Sequence, residues 1–167
     1  LLRHYYEIEE GIGVHKSPEL YGAFPTDPYS HTPRHRGAQQ PGMTGQVKED
    51  ILARFGELGV TVNEGRIYFD PAMLRKEEFL SNTDTFKYCN IRGEKGMISL
   101  HKGQLGFTFC QVPVIYTISD NEKVRITYDD GRKEEIDGKI LNPSASSGIF
   151  NRTGQIILVE VSVKPVQ

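Results

Sequence analysis

From residue 60 onwards, the chain is divided into short segments rich in β-branched and aromatic residues and separated by turn residues. Apolar and polar residues alternate within them, as at Ile67 and Phe69, and this period of two is typical of strands with one buried face. Glycines stand where tight hairpin turns need a positive φ angle, in Asn63-Glu64-Gly65 and Asp129-Asp130-Gly131. The predicted strands are 60–62, 66–70, 86–90, 97–100, 105–110, 114–118, 123–129, 132–136 and 155–163. This spacing is typical of a sandwich or barrel, and we predict a mainly β protein with an antiparallel β-sandwich over residues 60–167.

The first 59 residues follow a different pattern. Residues 1–10 place apolar side chains on one helical face and predict a short helix. Residues 11–45 contain six glycines and five prolines, which predict a long loop because no helix of useful length survives them. The chain begins with Leu1 instead of methionine, and we therefore expect a fragment of a longer protein.

The strongest helical pattern lies at residues 46–58. Its apolar face consists of Val47, Ile51, Phe55 and Leu58. Thr44 is predicted to cap the start of this helix, and Gly59 to end it. We expect the apolar face to pack on the sandwich, because a helix stabilises itself by burying such a face.

The charge and hydropathy of the chain exclude several functions. With 22 acidic and 20 basic residues its net charge is -2, so nucleic acid is not a predicted partner. No apolar run reaches the roughly 18 residues needed to span a bilayer, so we predict a soluble protein. Its compartment, cytoplasm or periplasm, stays open. Cys89 and Cys110 are predicted to pack as small apolar residues and not to form a disulfide.

Polar side chains that could bind a ligand are concentrated in residues 27–46. They include Asp27, His31, His35, Thr44 and Gln46, which we predict to bind substrate or phosphate. Together they offer a carboxylate, two imidazoles and the start of a helix, a combination suited to sugar hydroxyls, phosphate or a metal. No metal site is predicted, because Pro33 argues against a helix that would bring His31 and His35 together.

Thr44 has two interpretations. The free N–H groups and the dipole at a helix start can receive an anion, to which the Thr44 hydroxyl would add a donor. The residues alone favour an ordinary helix cap. There is neither a Walker lysine nor a G-x-G-x-x-G pattern, so no nucleotide cofactor is predicted.

Several aromatic residues of the β segments also have two interpretations. They are Phe107, Phe109, Tyr116 and Tyr128. Such a set could stack on sugar rings, but its period of two favours a place in the core. His101, at a strand end, is predicted to lie on the surface.

Four motifs occur in an order that is typical of one enzyme family. They are Asp27-Pro28-Tyr29-Ser30-His31, Arg34-His35-Arg36-Gly37, Gly42-Met43-Thr44-Gly45 at a helix start, and Gly65-Arg66-Ile67-Tyr68-Phe69-Asp70-Pro71 at the start of the β segments. This order resembles the C-terminal end of the cellobiose phosphorylase-like enzymes, relatives of the inverting glycosidases built on an (α/α) six-hairpin barrel. The motifs cover residues 1–71, and the remainder matches by architecture alone. The resemblance implies that residues 1–59 end a helical-barrel catalytic domain and that residues 60–167 form its β-sandwich domain.

The resemblance also implies roles for individual residues. Thr44 would bind inorganic phosphate, and His31 and His35 would line the same pocket. The family's phosphate-site glutamine has no counterpart near Pro25 and Thr26, so hydrolysis and phosphorolysis both stay open.

The predicted function is therefore that of the C-terminal part of a carbohydrate-active enzyme, a glycoside hydrolase or phosphorylase. The family's general acid lies upstream in the barrel, so the isolated chain is expected to be inactive and its catalytic residues are not identified. The alternative is a non-catalytic β-sandwich module that binds carbohydrate or another partner. A homodimer is compatible with either function.

Overall fold

A computed structural model describes residues 3, 4, 6 and 44–164, with side chains for the first three and from residue 51 onwards. The chain divides between residues 53 and 54 into two units, and every strand of the described part belongs to the second, which we call the β unit. Helix α1 spans Thr44–Glu57, close to the predicted 46–58. Residues 3, 4 and 6 are helical and fall within the short helix predicted for residues 1–10.

The β unit contains nine strands and a second helix in its described part. The strands are β1 Val60–Asn63, β2 Arg66–Phe69, β3 Asp84–Cys89, β4 Lys95–Leu100, β5 Gln104–Phe109, β6 Val112–Ile118, β7 Lys123–Tyr128, β8 Lys133–Asp137 and β9 Ile156–Val163. Helix α2 spans Pro143–Phe150, and a 3₁₀ turn at Lys76–Glu78 lies between β2 and β3. Each strand overlaps a predicted one, and the mainly β prediction is confirmed.

The strands form three open sheets. The largest has the order β5-β6-β9-β7-β8, while β1 with β2 and β3 with β4 form separate antiparallel hairpins. Within the five-stranded sheet β6 and β9 are parallel, and all other neighbours are antiparallel. Parallel neighbours need a long connection, which residues 119–155 supply by way of β7, β8 and α2. The result is a sandwich-like fold with one parallel pair at its centre.

The core lies against one face of the five-stranded sheet. Alternate residues of the three central strands point into it, namely Val112, Val114, Tyr116, Val124, Ile126, Val159, Val161 and Val163. The β1–β2 hairpin contributes Ile67 and Phe69, and α2 contributes Ala145 and Ile149. Burying these side chains is the main stabilising term of the β unit, at about 1.5–3 kcal/mol for each large aliphatic residue.

The last turn of α1 also belongs to this core. Leu58 is buried and Phe55 packs against the core cluster, as predicted for two residues of the helix's apolar face. Ile51, in the first unit, is 52% exposed, and the side chain of Val47 lies outside the described residues. Gly59 ends the helix with a φ of 67°, as predicted.

The β3–β4 hairpin approaches β5 at Gly106. A Cβ atom at Gly106 would lie 2.9 Å from Leu100 Cδ1 and 3.0 Å from Phe86 Cγ, closer than side chains normally pack. Glycine at this position therefore lets the hairpin pack on the edge strand of the large sheet.

Helix α2 was not predicted from the sequence. Asn142 caps it by accepting a hydrogen bond from the Ala145 backbone N–H at 2.7 Å, and Pro143 occupies the first turn. The serine-rich sequence is a weak helix former, so tertiary contacts select the helix: the fully buried Ser146 hydroxyl accepts a hydrogen bond from the Ile67 backbone N–H at 3.1 Å. Neither α2 nor any other helix of the described part is long and apolar enough to cross a membrane.

Candidate functional site

The site predicted from the sequence lies almost wholly outside the described residues. Asp27, His31 and His35 fall in that part of the chain. Thr44 and Gln46 lie in the first turn of α1, but their side chains are not among those described. Their roles in binding substrate or phosphate therefore stay predictions.

Tyr116 joins the end of α1 to the centre of the large sheet. Its ring is fully buried between Phe69 and Phe107, with centroid distances of 6.1 and 5.1 Å in edge-to-face arrangements. Its hydroxyl donates a 2.6 Å hydrogen bond to the Leu58 carbonyl oxygen. Burial, together with the charge of Asp70, raises the pKa of Tyr116 far above its ordinary value. The phenol thus stays a neutral donor that satisfies a carbonyl at the helix end.

Gly59 and Asp70 form a second link between the end of α1 and the β unit. We call the region of Leu58, Gly59, Asp70 and Tyr116 the joint. The Asp70 backbone N–H donates to the Gly59 carbonyl oxygen at 2.8 Å, and a Cβ atom at Gly59 would overlap the Asp70 backbone. Glycine is therefore required twice, for its positive φ angle and for the space. The end of the predicted strand motif, at Asp70 and Pro71, thus lies directly beside the end of α1.

Two cationic side chains near the joint are held by carboxylates. Arg54 Nη1 lies 2.7 Å from Glu57 and 2.6 Å from Glu78; burial would lower the pKa of the guanidinium, but the two hydrogen-bonded carboxylates outweigh it and raise the pKa. Lys139 Nζ lies 2.8 Å from Asp70 and 3.1 Å from Glu122, and the hydrogen bond to Asp70 is the main cause that raises its pKa. Both clusters pair their charges and thereby link elements of the fold.

The aromatic residues considered for stacking on sugar rings belong to the core, the interpretation that their period of two favoured. Tyr116 is fully buried, and Phe107, Phe109 and Tyr128 pack against the core cluster. The Tyr128 hydroxyl donates to Glu134 at 2.7 Å, and burial with this hydrogen bond raises its pKa. His101 is exposed, as predicted. Cys89 and Cys110 form no disulfide, and Cys110 packs against the core, but the prediction that Cys89 packs as a small apolar residue is wrong because its side chain is exposed.

A cleft of about 280 Å³ lies at the end of the large sheet where β6 and β9 begin and β7 ends. It is lined by Tyr88, Asn90, Ile91, Arg92, Gln111, Pro113, Asp129, Gly154, Ile156 and Ile157. These residues come from the β3–β4 hairpin and from the turns and strand ends of the sheet. We call this feature the rim cleft.

Four polar side chains of the rim cleft have no partner in the described part of the chain. They are the Tyr88 hydroxyl, the Arg92 guanidinium, the Gln111 amide and the Asp129 carboxylate. Arg92 and Asp129 line the same cleft without forming an ion pair with each other, although other surface charges nearby do pair, as Arg132 does with Asp130. A cleft with one free cation, one free anion and two neutral polar groups can exchange hydrogen bonds with a ligand.

The turn that presents Gln111 is strained. Cys110 and Gln111 have φ angles of 49° and 65° in the two-residue connection between β5 and β6. Such a turn normally uses Asn-Gly, because left-handed backbone costs other residues about 1–2 kcal/mol each. Strain of this kind often marks a functional position. The sequence sign of this strain is that neither glycine nor asparagine stands between the two strands. It can be recognised only once the position of the turn is known.

The described residues contain no group of three or more histidine, cysteine, aspartate or glutamate side chains able to hold a metal ion. Each buried side-chain nitrogen or oxygen in this same part has a hydrogen-bond partner. The free polar groups are thus confined to the surface, and the rim cleft gathers four of them.

Two comparisons with known proteins were made without a match. No protein-family model matches the sequence, and a search of curated proteins also finds no match. The similarity to the cellobiose phosphorylase-like enzymes therefore rests on the motifs of residues 1–71 and stays a prediction.

Proposed function

We propose that this chain is the C-terminal part of a carbohydrate-active enzyme, a glycoside hydrolase or phosphorylase, whose general acid lies outside it. One observation carries the proposal: the helix that opens with the Thr44-Gly45 motif ends in the core of a mainly β unit. In the family that the motifs resemble, the last barrel helix leads into a small β-sandwich. The order of motif, helix and β unit in this chain is the same.

The packing at the end of α1 supports this proposal. Leu58 lies in the β core, its carbonyl oxygen accepts the Tyr116 hydrogen bond, and Gly59 lies against the Asp70 backbone. A β unit built around a helix end holds that end at a fixed position. Such a unit suits a domain that supports the last helix of a catalytic barrel.

Thr44 would place the chemistry at the other end of the same helix. Backbone N–H groups in the first helical turn and the helix dipole favour an anion, and His31, His35 and Asp27 would supply further polar contacts. In phosphorolysis the anion is phosphate, which attacks the anomeric carbon as the leaving sugar is protonated. In inverting hydrolysis a water takes that place and is activated by a carboxylate.

Turnover assays test the proposal. The 167-residue chain and the full-length gene product that contains it are assayed against β-linked disaccharides, with and without inorganic phosphate. We expect turnover by the full-length product alone. Turnover by the isolated chain would overturn the assignment of the general acid to another segment, and inactivity of both proteins on every disaccharide would overturn the enzyme proposal.

A pair of threonine variants separates phosphorolysis from hydrolysis. Thr44→Val in the full-length product removes the hydroxyl at the helix start, whereas Thr61→Val, at an exposed position of strand β1, is the matched control. Loss of phosphate-dependent turnover in Thr44→Val only would support a phosphate ligand. Phosphate-independent turnover in the unmodified enzyme would instead identify a hydrolase.

A further inference from the structure

We infer that the rim cleft is a binding site for a neutral saccharide of one or two rings. It shares no residue with the proposed active site, because its lining residues fall between positions 88 and 157 and the active-site candidates fall between 27 and 46. The inference does not depend on the enzyme proposal. A sugar site here would serve equally well in a non-catalytic carbohydrate-binding module.

The charges of the rim cleft select a neutral ligand. Arg92 and Asp129 both line it, and neither has a partner among the described residues. An anion such as phosphate would be attracted by Arg92 and repelled by Asp129, and a cation the reverse, so the two charges together favour neither sign. A purely apolar ligand would remove water from both charges without replacing its hydrogen bonds. Hydroxyl groups satisfy both, since they donate to a carboxylate and accept from a guanidinium.

The remaining lining residues match the other properties of a sugar ring. Gln111 can both donate and accept hydrogen bonds, and Tyr88 carries a free hydroxyl. Ile157 is 46% exposed and, with Ile91 and Pro113, offers apolar surface for the C–H face of a ring. The volume of about 280 Å³ is just below the range of roughly 300–1,000 Å³ for drug-sized ligands, which favours one or two rings.

Local structure holds the hairpin side of the cleft in place before any ligand binds. Asn90 is not free: its Oδ1 accepts from the Arg92 and Glu94 backbone N–H groups at 2.9 and 3.0 Å, and its Nδ2 donates to Glu94 at 2.9 Å. These bonds fix the turn that carries Ile91 and Arg92. Asn90 is therefore a positioning residue for the cleft.

Two glycines let aromatic and aliphatic side chains close the cleft. The Tyr88 ring lies over Gly96, where any Cβ atom would overlap it, and Tyr88 stacks on Phe86 with a centroid distance of 5.8 Å. A Cβ atom at Gly154 would lie 3.0 Å from Ile91 Cδ1. The strained Cys110-Gln111 turn contributes Gln111 to the lining. Preorganisation of this kind reduces the entropy lost when a ligand binds.

Binding is measured on the 167-residue chain with a glycan array of α- and β-linked hexose oligosaccharides, followed by calorimetric titration with glucose and cellobiose. Inorganic phosphate and glycine serve as anionic and zwitterionic probes. We expect at least one saccharide to bind with a dissociation constant tighter than about 10 mM, and neither probe to bind. Absence of binding across the array, or binding of phosphate or glycine at the cleft, would overturn the inference.

Matched variants locate the binding. Asp129→Asn removes the cleft carboxylate, whereas Asp130→Asn makes the same change at the next residue, which does not line the cleft. Arg92→Gln is compared in the same way with Arg152→Gln, at an exposed position outside the cleft. We expect about tenfold weaker binding for each cleft variant and unchanged binding for each control, because a hydrogen bond to a charged group is lost. Equal effects in the paired variants would place the sugar elsewhere.

These outcomes are distinct from those of the enzyme proposal. The sugar titration uses only the isolated chain and gives a dissociation constant, whereas the enzyme proposal is tested by turnover of the full-length product. Loss of sugar binding in Asp129→Asn with unchanged turnover would support both statements. A chain that binds no saccharide would overturn the cleft inference and leave the turnover test unaffected.

Discussion

The joint between α1 and the large sheet differs from the rim cleft in how its polar groups are satisfied. At the joint, the Tyr116 hydroxyl, the Leu58 carbonyl and the Gly59 and Asp70 backbones are paired at hydrogen-bond distance. At the rim cleft, four polar side chains have no partner among the described residues. Both regions use left-handed backbone, but the joint places glycine there, whereas the cleft has Cys110 and Gln111 as well as Gly154.

This difference follows from burial. An unpaired polar group inside the joint would cost about 1–3 kcal/mol, because water cannot reach it. At the rim, water satisfies the same groups until a ligand replaces it, so leaving them unpaired costs little. The joint is therefore built for stability, and the cleft carries strain that stability alone does not explain.

The largest effect is expected for Gly59→Ala. The new Cβ atom would overlap the Asp70 backbone and force a left-handed alanine, so we expect a loss of about 3 kcal/mol or more in the free energy of unfolding. Gly65→Ala is the control, since Gly65 has a similar φ of 72° in open space and should lose only about 1 kcal/mol. Urea denaturation measures both. Equal losses would show that the joint is not tightly packed at Gly59.

Tyr116→Phe tests the buried hydrogen bond at the joint. The change leaves the Leu58 carbonyl oxygen without its donor inside the core, and we expect a loss of about 1–3 kcal/mol in the free energy of unfolding. Tyr128→Phe removes a hydroxyl bonded to Glu134 near the surface, where water can replace it, and should cost less than about 1 kcal/mol. Both are measured by urea denaturation. A larger loss in Tyr128→Phe would reverse the proposed order of burial.

The pH dependence of the stability of Tyr116→Phe gives a second measurement at the joint. In the unfolded chain Tyr116 ionises near pH 10, whereas burial keeps it protonated in the folded protein. Above about pH 10 the unfolded state thus holds fewer protons, and stability falls by roughly 1.4 kcal/mol per pH unit from this group. The stability gap between the unmodified protein and Tyr116→Phe should therefore narrow as pH rises from about 10. A constant gap up to the alkaline unfolding limit would contradict the buried, neutral phenol.

The sequence predicted the strands well because their signal is local. Alternation as at Ile67 and Phe69, and glycine in the turn at Gly65, depend on neighbouring residues and appear directly in the sequence. Helix α2 was missed because its serine-rich sequence favours no helix, and tertiary contacts such as that of Ser146 with the Ile67 backbone select it. The parallel pairing of β6 and β9 was also missed, since strand order is set by contacts between distant residues.

The rim cleft could not be predicted for the same reason. Tyr88, Gln111 and Asp129 are far apart in the sequence, and no motif connects them. The site predicted from motifs, at Asp27, His31, His35, Thr44 and Gln46, remains a prediction because those side chains lie outside the described part of the chain. A motif identifies functional residues that are close together in the sequence, whereas a site formed by separate turns can be recognised only once the fold is known.

The smallest effect is expected for Gln111→Gly, and its sign is the sharpest test of the difference between joint and cleft. Glycine removes the left-handed strain, which stabilises the fold by about 1–2 kcal/mol. It also loses more backbone entropy on folding, which costs about 0.5–1 kcal/mol, so the free energy of unfolding should rise by roughly 0.5–1 kcal/mol. Gln155→Gly, at an exposed position without positive φ, should instead lose about 0.5–1 kcal/mol. Urea denaturation compares the two, and calorimetry follows saccharide binding in each.

A more stable Gln111→Gly protein that no longer binds saccharide would show that the turn trades stability for a ligand contact. A less stable one would mean that Gln111 makes folding contacts that outweigh its backbone strain, and the cleft would then resemble the joint. In a third result, stability rises and saccharide binding is unchanged. The backbone strain at Gln111 would then serve no ligand contact. Because stability and binding are measured on the same variant, the test separates a residue retained for the fold from one retained for a ligand.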